Sequence, residues 1–294
     1  MLPLSGDGPL SHIAVPYGSA GGYLRSVLPV ITRRLARGGR VLLVAPRRNL
    51  DLIRRELGDD FRRLDSGVSE EWYGHPARTL AAFVEYAEAR QPVLMIGEPI
   101  WADERHEREW SKIEAVANVA LARFECTALC AYDRRETRPH VLADVLRTHP
   151  DSIVDGVAWP CDHYEPPETI EWDDPPLPHP PADASRVGFD PGDPGPMRRF
   201  VASQAKAAGL ARHRVASLVM AATELAVIAA GQGTVAMWSE ERELACEVTH
   251  PGAEFDKRFA GYLPDGDRGL WICRQLCDFA DIRADRSQLR MRLR

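Results

Sequence analysis

The first residues in the chain with an obvious chemical use are glycines. An apolar run leads into Tyr17-Gly-Ser-Ala-Gly-Gly22, and glycines after a strand let backbone N–H groups turn toward a phosphate. A working phosphate loop also needs G-x-x-x-x-G-K-[ST], which places Lys on the outer phosphates and a hydroxyl on the metal. Tyr23 and Leu24 follow Gly22, so both groups are missing and nucleotide hydrolysis is not expected there. Two carboxylates stand where later apolar runs end: Glu98 in Gly97-Glu98-Pro99-Ile100-Trp101 and Asp133 in Cys130-Ala131-Tyr132-Asp133. With His149 they are the groups a small-molecule enzyme would use for acid/base work. Their spacing defines no nucleophile–base pair, and capping of the next helix is the competing role for both carboxylates. Glu114 and Asn118 lie one helical turn apart and project together, toward a ligand or as a buried pair that holds their helix. His12, Trp101 and His149 suit a partly apolar pocket, and each is equally a residue that packs in a core.

Six cysteines, Cys126, Cys130, Cys161, Cys246, Cys273 and Cys277, are few for this length. Cys126 and Cys130 flank an apolar run, and Cys273 and Cys277 are one helical turn apart. Neither pair has the C-x-x-C spacing of a zinc site, so they read as small core residues and no metal site is expected.

The elements that must position these residues change character along the chain. His12–Tyr17, Arg40–Ala45, Pro92–Gly97 and Thr127–Tyr132 are short apolar runs that read as buried parallel strands. Gly22–Arg37, Leu50–Leu57, Pro76–Arg90 and Glu104–Arg123 carry the helical spacing of crossover connections. Residues 1–160 are thus predicted to form a three-layer α/β domain. Prolines 166, 167, 175, 176, 178, 180, 181, 191, 194 and 196 then crowd one stretch. It reads as an extended linker over 161–196, with Trp172 and Phe189 able to dock on a domain. Residues 197–294 are predicted as an α+β two-layer sandwich in the order ααββαββ. Its last strand alternates Leu289, Met291 and Leu293 with Arg290, Arg292 and Arg294, giving one buried face and one basic, wet face.

A chain of 294 residues with net charge −6, 45% hydrophobic and 27% charged residues has room for two domains of the usual ~100–200 residues. Global disorder is excluded. A weakly acidic chain lacks the clustered cationic footprint of a general nucleic-acid binder. No apolar run is long enough to cross a bilayer, and the N-terminus, with Asp7 among Pro and Gly, lacks the charged start and apolar core of an export signal. The cytoplasm is the expected compartment.

Several of these residues, taken in order, carry a family resemblance. His12 before Tyr17, Gly39 before the second strand, His75-Pro76-Ala77-Arg78, Gly97-Glu98-Pro99-Ile100-Trp101, Glu114 with Asn118, Cys130-Ala131-Tyr132-Asp133 and Thr148-His149-Pro150 together make residues 12–150 resemble the MEDS sensory domain. That family is a RecA-like module without a working phosphate loop, found in bacterial regulators and taken to sense small molecules. The resemblance implies an unidentified small ligand, with His12, Tyr17, Glu98, Trp101, Glu114, Asn118, Tyr132, Asp133 and His149 as its candidate contacts.

Ala222-Thr223-Glu224-Leu225-Ala226, Val248-Thr249-His250-Pro251-Gly252 and Asp267-Arg268-Gly269-Leu270-Trp271-Ile272-Cys273-Arg274-Gln275-Leu276 make the second domain resemble the GHKL ATPase fold, in its anti-sigma-factor serine-kinase branch. That family carries Glu-x-x-x-Asn, in which Asn holds Mg²⁺ and Glu acts as base. Here Glu224 is followed four residues later by Ile228, which has no oxygen for a hard cation. The adenine-binding Asp is replaced by His250, before Gly252, and Asp267 stands where a phosphate-wrapping Gly is usual, before Gly269. A carboxylate there repels polyphosphate. On a regular helix Glu224 and Ile228 lie away from the core stripe beside Met220 and Val227, so that side is either filled by the loop over 250–268 or exposed to a partner. The resemblance therefore implies a degenerate site that takes neither ATP nor Mg²⁺ as cofactor, and a protein partner of the anti-sigma or anti-anti-sigma type. The alternative is an active ATP-dependent serine kinase with Glu224 as base.

Overall fold

In a computed structural model of the chain, residues 9–100, 103–256, 258–265 and 267–293 are described. Trp101, the first eight residues and Arg294, on which three of the expectations above fall, lie outside them. The chain divides into two compact units, Met1–Ile170 and Glu171–Arg294. The stretch over 161–196 is thereby shared between the two.

The first unit runs β1 (Leu10–Tyr17), α1 (Ala20–Ala36), β2 (Arg40–Ala45), α2 (Arg47–Leu57), a 3-10 turn (Gly58–Arg63), β3 (Asp65–Val68), α3 (Ser69–Trp72), α4 (Pro76–Arg90), β4 (Val93–Gly97), α5 (Glu104–Ala120), β5 (Cys126–Asp133), α6 (Pro139–Thr148), β6 (Asp151–Val154) and β7 (Val157–Pro160). The strands form one sheet in the order β3-β2-β4-β5-β1-β6-β7, parallel except for the final β6–β7 hairpin. This is the three-layer α/β architecture that the alternation of apolar runs and amphipathic helices dictates. β1, β2, β4 and β5 match their expected runs to within two residues, because each is buried on both faces and has no polar alternation to blur its ends. The edge strand β3, with the sequence Asp65-Ser-Gly-Val68, has no such run and is legible only from its pairing with β2.

Alternation along the strands divides the core. Ile13, Val15, Leu43, Ile96 and Leu129 pack with Tyr23, Val27 and Ile31 of α1 and Ile53 of α2. His12, Ala14, Met95, Ala128, Cys130 and Tyr132 hold the alternate positions and so face the other side, toward α4, α5 and α6. The helix starts are set locally. Ser19 Oγ accepts from Gly22 N at 3.1 Å, His75 Nδ1 accepts from Arg78 N at 3.3 Å, and Asp103 Oδ1 accepts from His106 N at 2.9 Å. Each satisfies one orphan donor of a first turn.

The second unit adds β8 (Ser185–Phe189), α7 (Gly195–Ala207), α8 (Arg212–Val227), β9 (Gly233–Glu240), β10 (Glu243–Thr249), α9 (Arg268–Leu276), β11 (Phe279–Ile282) and β12 (Arg286–Arg292). Its antiparallel sheet has the order β11-β12-β10-β9-β8, and the three helices bury their apolar faces on one side of it. The expected ααββαββ order is present with one more strand in front. β8 lies inside the proline-crowded stretch, in a gap of nine residues between Pro181 and Pro191, and pairs with β9 as an edge. Phe189 at its end is buried, and Gly233 opposite makes room for it: a Cβ there would sit 2.5 Å from the Phe189 ring and 2.5 Å from the Thr249 carbonyl.

The last strand follows the expectation of a basic, wet face only in part: Arg292 is exposed, but Arg290 is buried and ion-paired with Glu240 and Glu243. Gln288 is buried as well. The segment before β8 lies on Gln288 and Arg286: Gln288 Nε2 donates to Pro178 O at 2.6 Å and to Glu247 Oε2 at 2.8 Å, and Arg286 donates to Leu177 O at 3.0 Å. Proline-rich chain cannot donate to a sheet edge, but its carbonyls can accept from side chains across a sheet face. Among the described residues, no helix is long and apolar enough to cross a membrane.

Candidate functional site

The sensory candidates separate into two clusters in the first unit. One sits at the carboxyl ends of β1, β4 and β5, the position where open α/β sheets take ligands. Tyr17 Oη donates to Glu98 Oε1 at 2.6 Å, and Asn49 Nδ2 donates to Glu98 Oε2 at 2.6 Å. Arg48 lies 3.7 Å from Glu98 and 3.5 Å from Asp133, and binds Glu136 through both terminal nitrogens at 2.7 and 2.8 Å. Asp133 accepts from the Arg135 side chain at 2.8 and 2.6 Å and from its backbone N–H at 3.0 Å. Burial pushes the Glu98 carboxyl up to about 7, against its bonds from Tyr17 and Asn49 and the Arg48 charge. The Arg135 guanidinium holds Asp133 below its ordinary value. Neither carboxylate caps a helix: α5 is capped by Asp103 and α6 has no side-chain cap. The capping alternative therefore fails: Glu98 ties the end of β1 to α2 through Tyr17 and Asn49, and Asp133 holds the turn after β5 through Arg135 and lies beside Arg48 of α2.

The other cluster lies on the opposite face of the sheet, near the middle of the strands. His12 on β1, Glu114 on α5, Cys130 on β5 and His149 just after α6 bring one ligand atom each to within 4.8 Å of one another. His12 Nε2 is 3.2 Å from Glu114 Oε2 and 3.3 Å from Cys130 Sγ. Cys130 Sγ is 3.4 Å, and His149 Nε2 3.5 Å, from that same Glu114 oxygen. Tyr132 Oη donates to the other one, Oε1, at 2.6 Å. Asn118 stands behind His12, 3.1 Å from its Nδ1. Burial works against the Glu114 carboxylate, but the bond from His12, both neighbouring imidazoles and the Tyr132 hydroxyl hold it down at about 2. Burial, with His12 beside it, pulls His149 down to about 3. Burial and the Glu114 carboxylate push the Cys130 thiol well above its ordinary value.

A cavity of about 40 Å³ opens beside this cluster. At the roughly 10–15 Å³ that one water-sized centre requires, it holds about three. His12, Glu114 and Cys130 form its polar side, and Tyr73, Leu80, Phe83, Met95, Trp110 and Ile113 supply most of the rest. Gly97 is part of this wall because a Cβ there would collide with the Tyr73 hydroxyl. Residues 11–150 match the MEDS family. Its description is the MEthanogen/methylotroph, DcmR Sensory domain, and every described residue of both clusters falls within the matched span. The match to a family described as a sensory domain suggests a regulatory or signalling role. No curated protein matches the chain.

The structure thus brings His12, Glu114, Asn118, Tyr132 and His149 together and sets Tyr17, Glu98 and Asp133 apart from them. Cys130, Tyr73, Arg48 and Asn49 are site residues that sequence reasoning missed. Cys130 had a signal: it is two residues before Tyr132 on one strand and therefore shares its face.

In the second unit, Glu224 lies against the start of α9, where a Cβ on Gly269 would meet its Oε2 at 2.9 Å. Asp267 caps α9, accepting from Leu270 N at 3.3 Å. His250 is fully buried, 2.8 Å from Ser287 Oγ through Nε2, with the Phe255 ring 6.0 Å away. Gly252 adopts φ 73°, its Cα close under Ala230. Met220 and Val227 are exposed, as the helical wheel requires. Ile228, the C-cap of α8, is half-buried, and its side chain packs against the core.

Proposed function

We propose that the chain is a regulator in which the first unit senses a small, mostly apolar molecule and the second presents a surface to a protein partner without turning over ATP. The cavity beside His12, Glu114 and Cys130 carries the sensory half. Its size limits the ligand to a few heavy atoms, its walls favour carbon, and one polar side can receive a single hydrogen-bonding group. A ligand with different affinity for two arrangements of the unit shifts their populations, which is the minimum a sensor requires.

The second half is supported by the same three positions that depart from the GHKL pattern. Ile228 packs half-buried against the core, the His250 ring bonds Ser287, and Asp267 is engaged as a helix cap. Ile228 has no oxygen for Mg²⁺, the His250 Nε2 is taken by Ser287, and the Asp267 carboxylate stands where it would repel polyphosphate. A partner of the anti-sigma or anti-anti-sigma type follows from the resemblance alone.

Calorimetry of the full chain with Mg-ATP tests the output half: micromolar binding overturns it, as does transfer of labelled phosphate to a partner that Glu224→Gln abolishes. For the sensory half, the chain is screened by thermal shift against small alcohols, ketones and haloalkanes. A hit that Ala128→Val abolishes, by filling the cavity floor, supports the assignment. A hit that this variant leaves unchanged places the ligand elsewhere.

A further inference from the structure

We propose that His12 Nε2, Glu114 Oε2, Cys130 Sγ and His149 Nε2 form a binding site for one divalent transition-metal ion of the Zn²⁺ type. The site goes beyond the sensory reading and does not depend on it. Three observations carry it.

The first is the protonation pattern that the surroundings impose. Asn118 Nδ2 donates to the carbonyls of Glu114, Ala115 and Thr148 at 3.2, 3.3 and 2.8 Å. The amide is thereby oriented, and Oδ1 is the atom that faces His12 Nδ1. An amide oxygen only accepts, so His12 carries its proton on Nδ1 and turns the Nε2 lone pair into the cluster. His149 Nδ1 lies 2.8 Å from the Val145 carbonyl, which fixes that ring in the same way. A histidine whose outer N–H is held by an amide or carbonyl is the usual second layer of a metal site.

The second is what these lone pairs meet. His149 is fully buried, and its Nε2 finds no hydrogen-bond partner among the described residues. With both rings neutral, His12 Nε2, His149 Nε2 and Glu114 Oε2 are three acceptors converging in one place, with the Cys130 thiol proton alone to share among them; an added proton on His12 Nε2 pairs with Glu114 and still leaves His149 Nε2 without a partner. Buried acceptors facing one another are costly. A cation at the centre, taking the thiolate as fourth ligand and releasing that proton to solvent, gives each lone pair a partner.

The third is metric. A tetrahedral ion with bonds of ~2.0–2.3 Å has ligand–ligand edges of about 3.3–3.8 Å. Four of the six ligand–ligand separations, 3.2, 3.3, 3.4 and 3.5 Å, lie at or within a tenth of an ångström of that range, and the two from His149 Nε2 to His12 Nε2 and Cys130 Sγ lie within 4.8 Å. Two imidazoles, one thiolate and one carboxylate suit Zn²⁺ or Co²⁺, whereas Ca²⁺ and Mg²⁺ prefer oxygen alone. Because His12, Glu114 and Cys130 also line the cavity, the ion would form its polar side.

The test uses the full chain, purified under reducing conditions, stripped with a chelator and titrated with Co²⁺. The expected result is one Co²⁺ per chain with intense tetrahedral visible bands and a thiolate-to-cobalt band in the near ultraviolet, all displaced by Zn²⁺. Cys130→Ser should abolish the near-ultraviolet band, and Asn118→Ala should weaken binding about 10- to 100-fold. If Cys130→Ser does not fold, His149→Gln serves, with an altered visible spectrum expected. Weak octahedral bands in the wild type, less than one bound ion, or a Cys130→Ser spectrum equal to wild type overturns the proposal. No sensed molecule enters these measurements, so their failure leaves the sensory reading standing, and failure of the ligand screen leaves the metal site standing.

Discussion

Glu98 should make the first unit less stable as pH rises through neutrality. Its carboxyl is 3% exposed, and burial raises its pKa from an ordinary 4.5 to about 7. A group whose folded pKa is raised stabilises fully below its unfolded value and loses that contribution as pH climbs through the folded value. The window is therefore pH 4.5 to 7. A difference of about 2.5 units at 1.36 kcal/mol each amounts to about 3 kcal/mol. Glu98→Gln removes the titration and keeps the side chain's shape. One of its bonds from Tyr17 or Asn49 is mismatched, but that offset does not change with pH. His149, pulled down to about 3 by burial, contributes the opposite slope over part of the window. It does so in wild type and variant alike, so the difference between the two isolates Glu98. The assay is urea unfolding at pH 5 and pH 8, followed through hydrogen exchange of β4 and β5 peptides so that only the first unit is read. With m near 1–3 kcal/mol/M, the wild-type midpoint should fall relative to the variant by about 1 M or more between the two conditions. Parallel profiles for the two proteins would refute the assignment of a raised pKa to Glu98.

Three further outcomes follow from packing. Gly97→Ala forces a methyl into the Tyr73 hydroxyl, so the first unit should lose about 1–3 kcal/mol, measured by the same unfolding assay. Gly233→Ala meets the Thr249 carbonyl, which cannot swing away. Exchange of β9 and β10 amides should accelerate while β1 and β5 amides remain unchanged. Gln288→Ala removes the bonds to Pro178 and Glu247 and leaves a buried carboxylate short of a donor, at a cost of about 1–3 kcal/mol. Limited proteolysis within residues 174–184 should quicken, and an unchanged cleavage rate would show that these bonds do not hold the segment.

The order of buried strands and crossover helices in the first unit is written in the sequence, because β1, β2, β4 and β5 are continuous apolar runs and the helices between them carry 3.6-residue spacing. The same holds for α7, α8, β9 and β10. Charge and composition were enough to exclude global disorder. The quoted motifs also mark the span that matches the MEDS family. β8 and the covered face of β12 were not legible. Proline crowding masks a five-residue strand whose stability comes from its partner β9, and Arg290 looks solvated until Glu240 and Glu243 are brought beside it while Leu177 and Pro178 accept from Arg286 and Gln288.

The candidate site shows the same division at finer scale. Sequence supplied the residue types His12, Glu114, Asn118, Tyr132 and His149, and it supplied Glu98 with Tyr17 and Asp133. It could not assign them to different faces of one sheet, because that depends on the pairing of β1 between β5 and β6 and on where α5 crosses beneath. Cys130 seemed a core residue because cysteine spacing carries information only about ligands near one another in sequence. Positions 12, 114, 130 and 149 come from four elements, and only tertiary packing brings their lone pairs to one point.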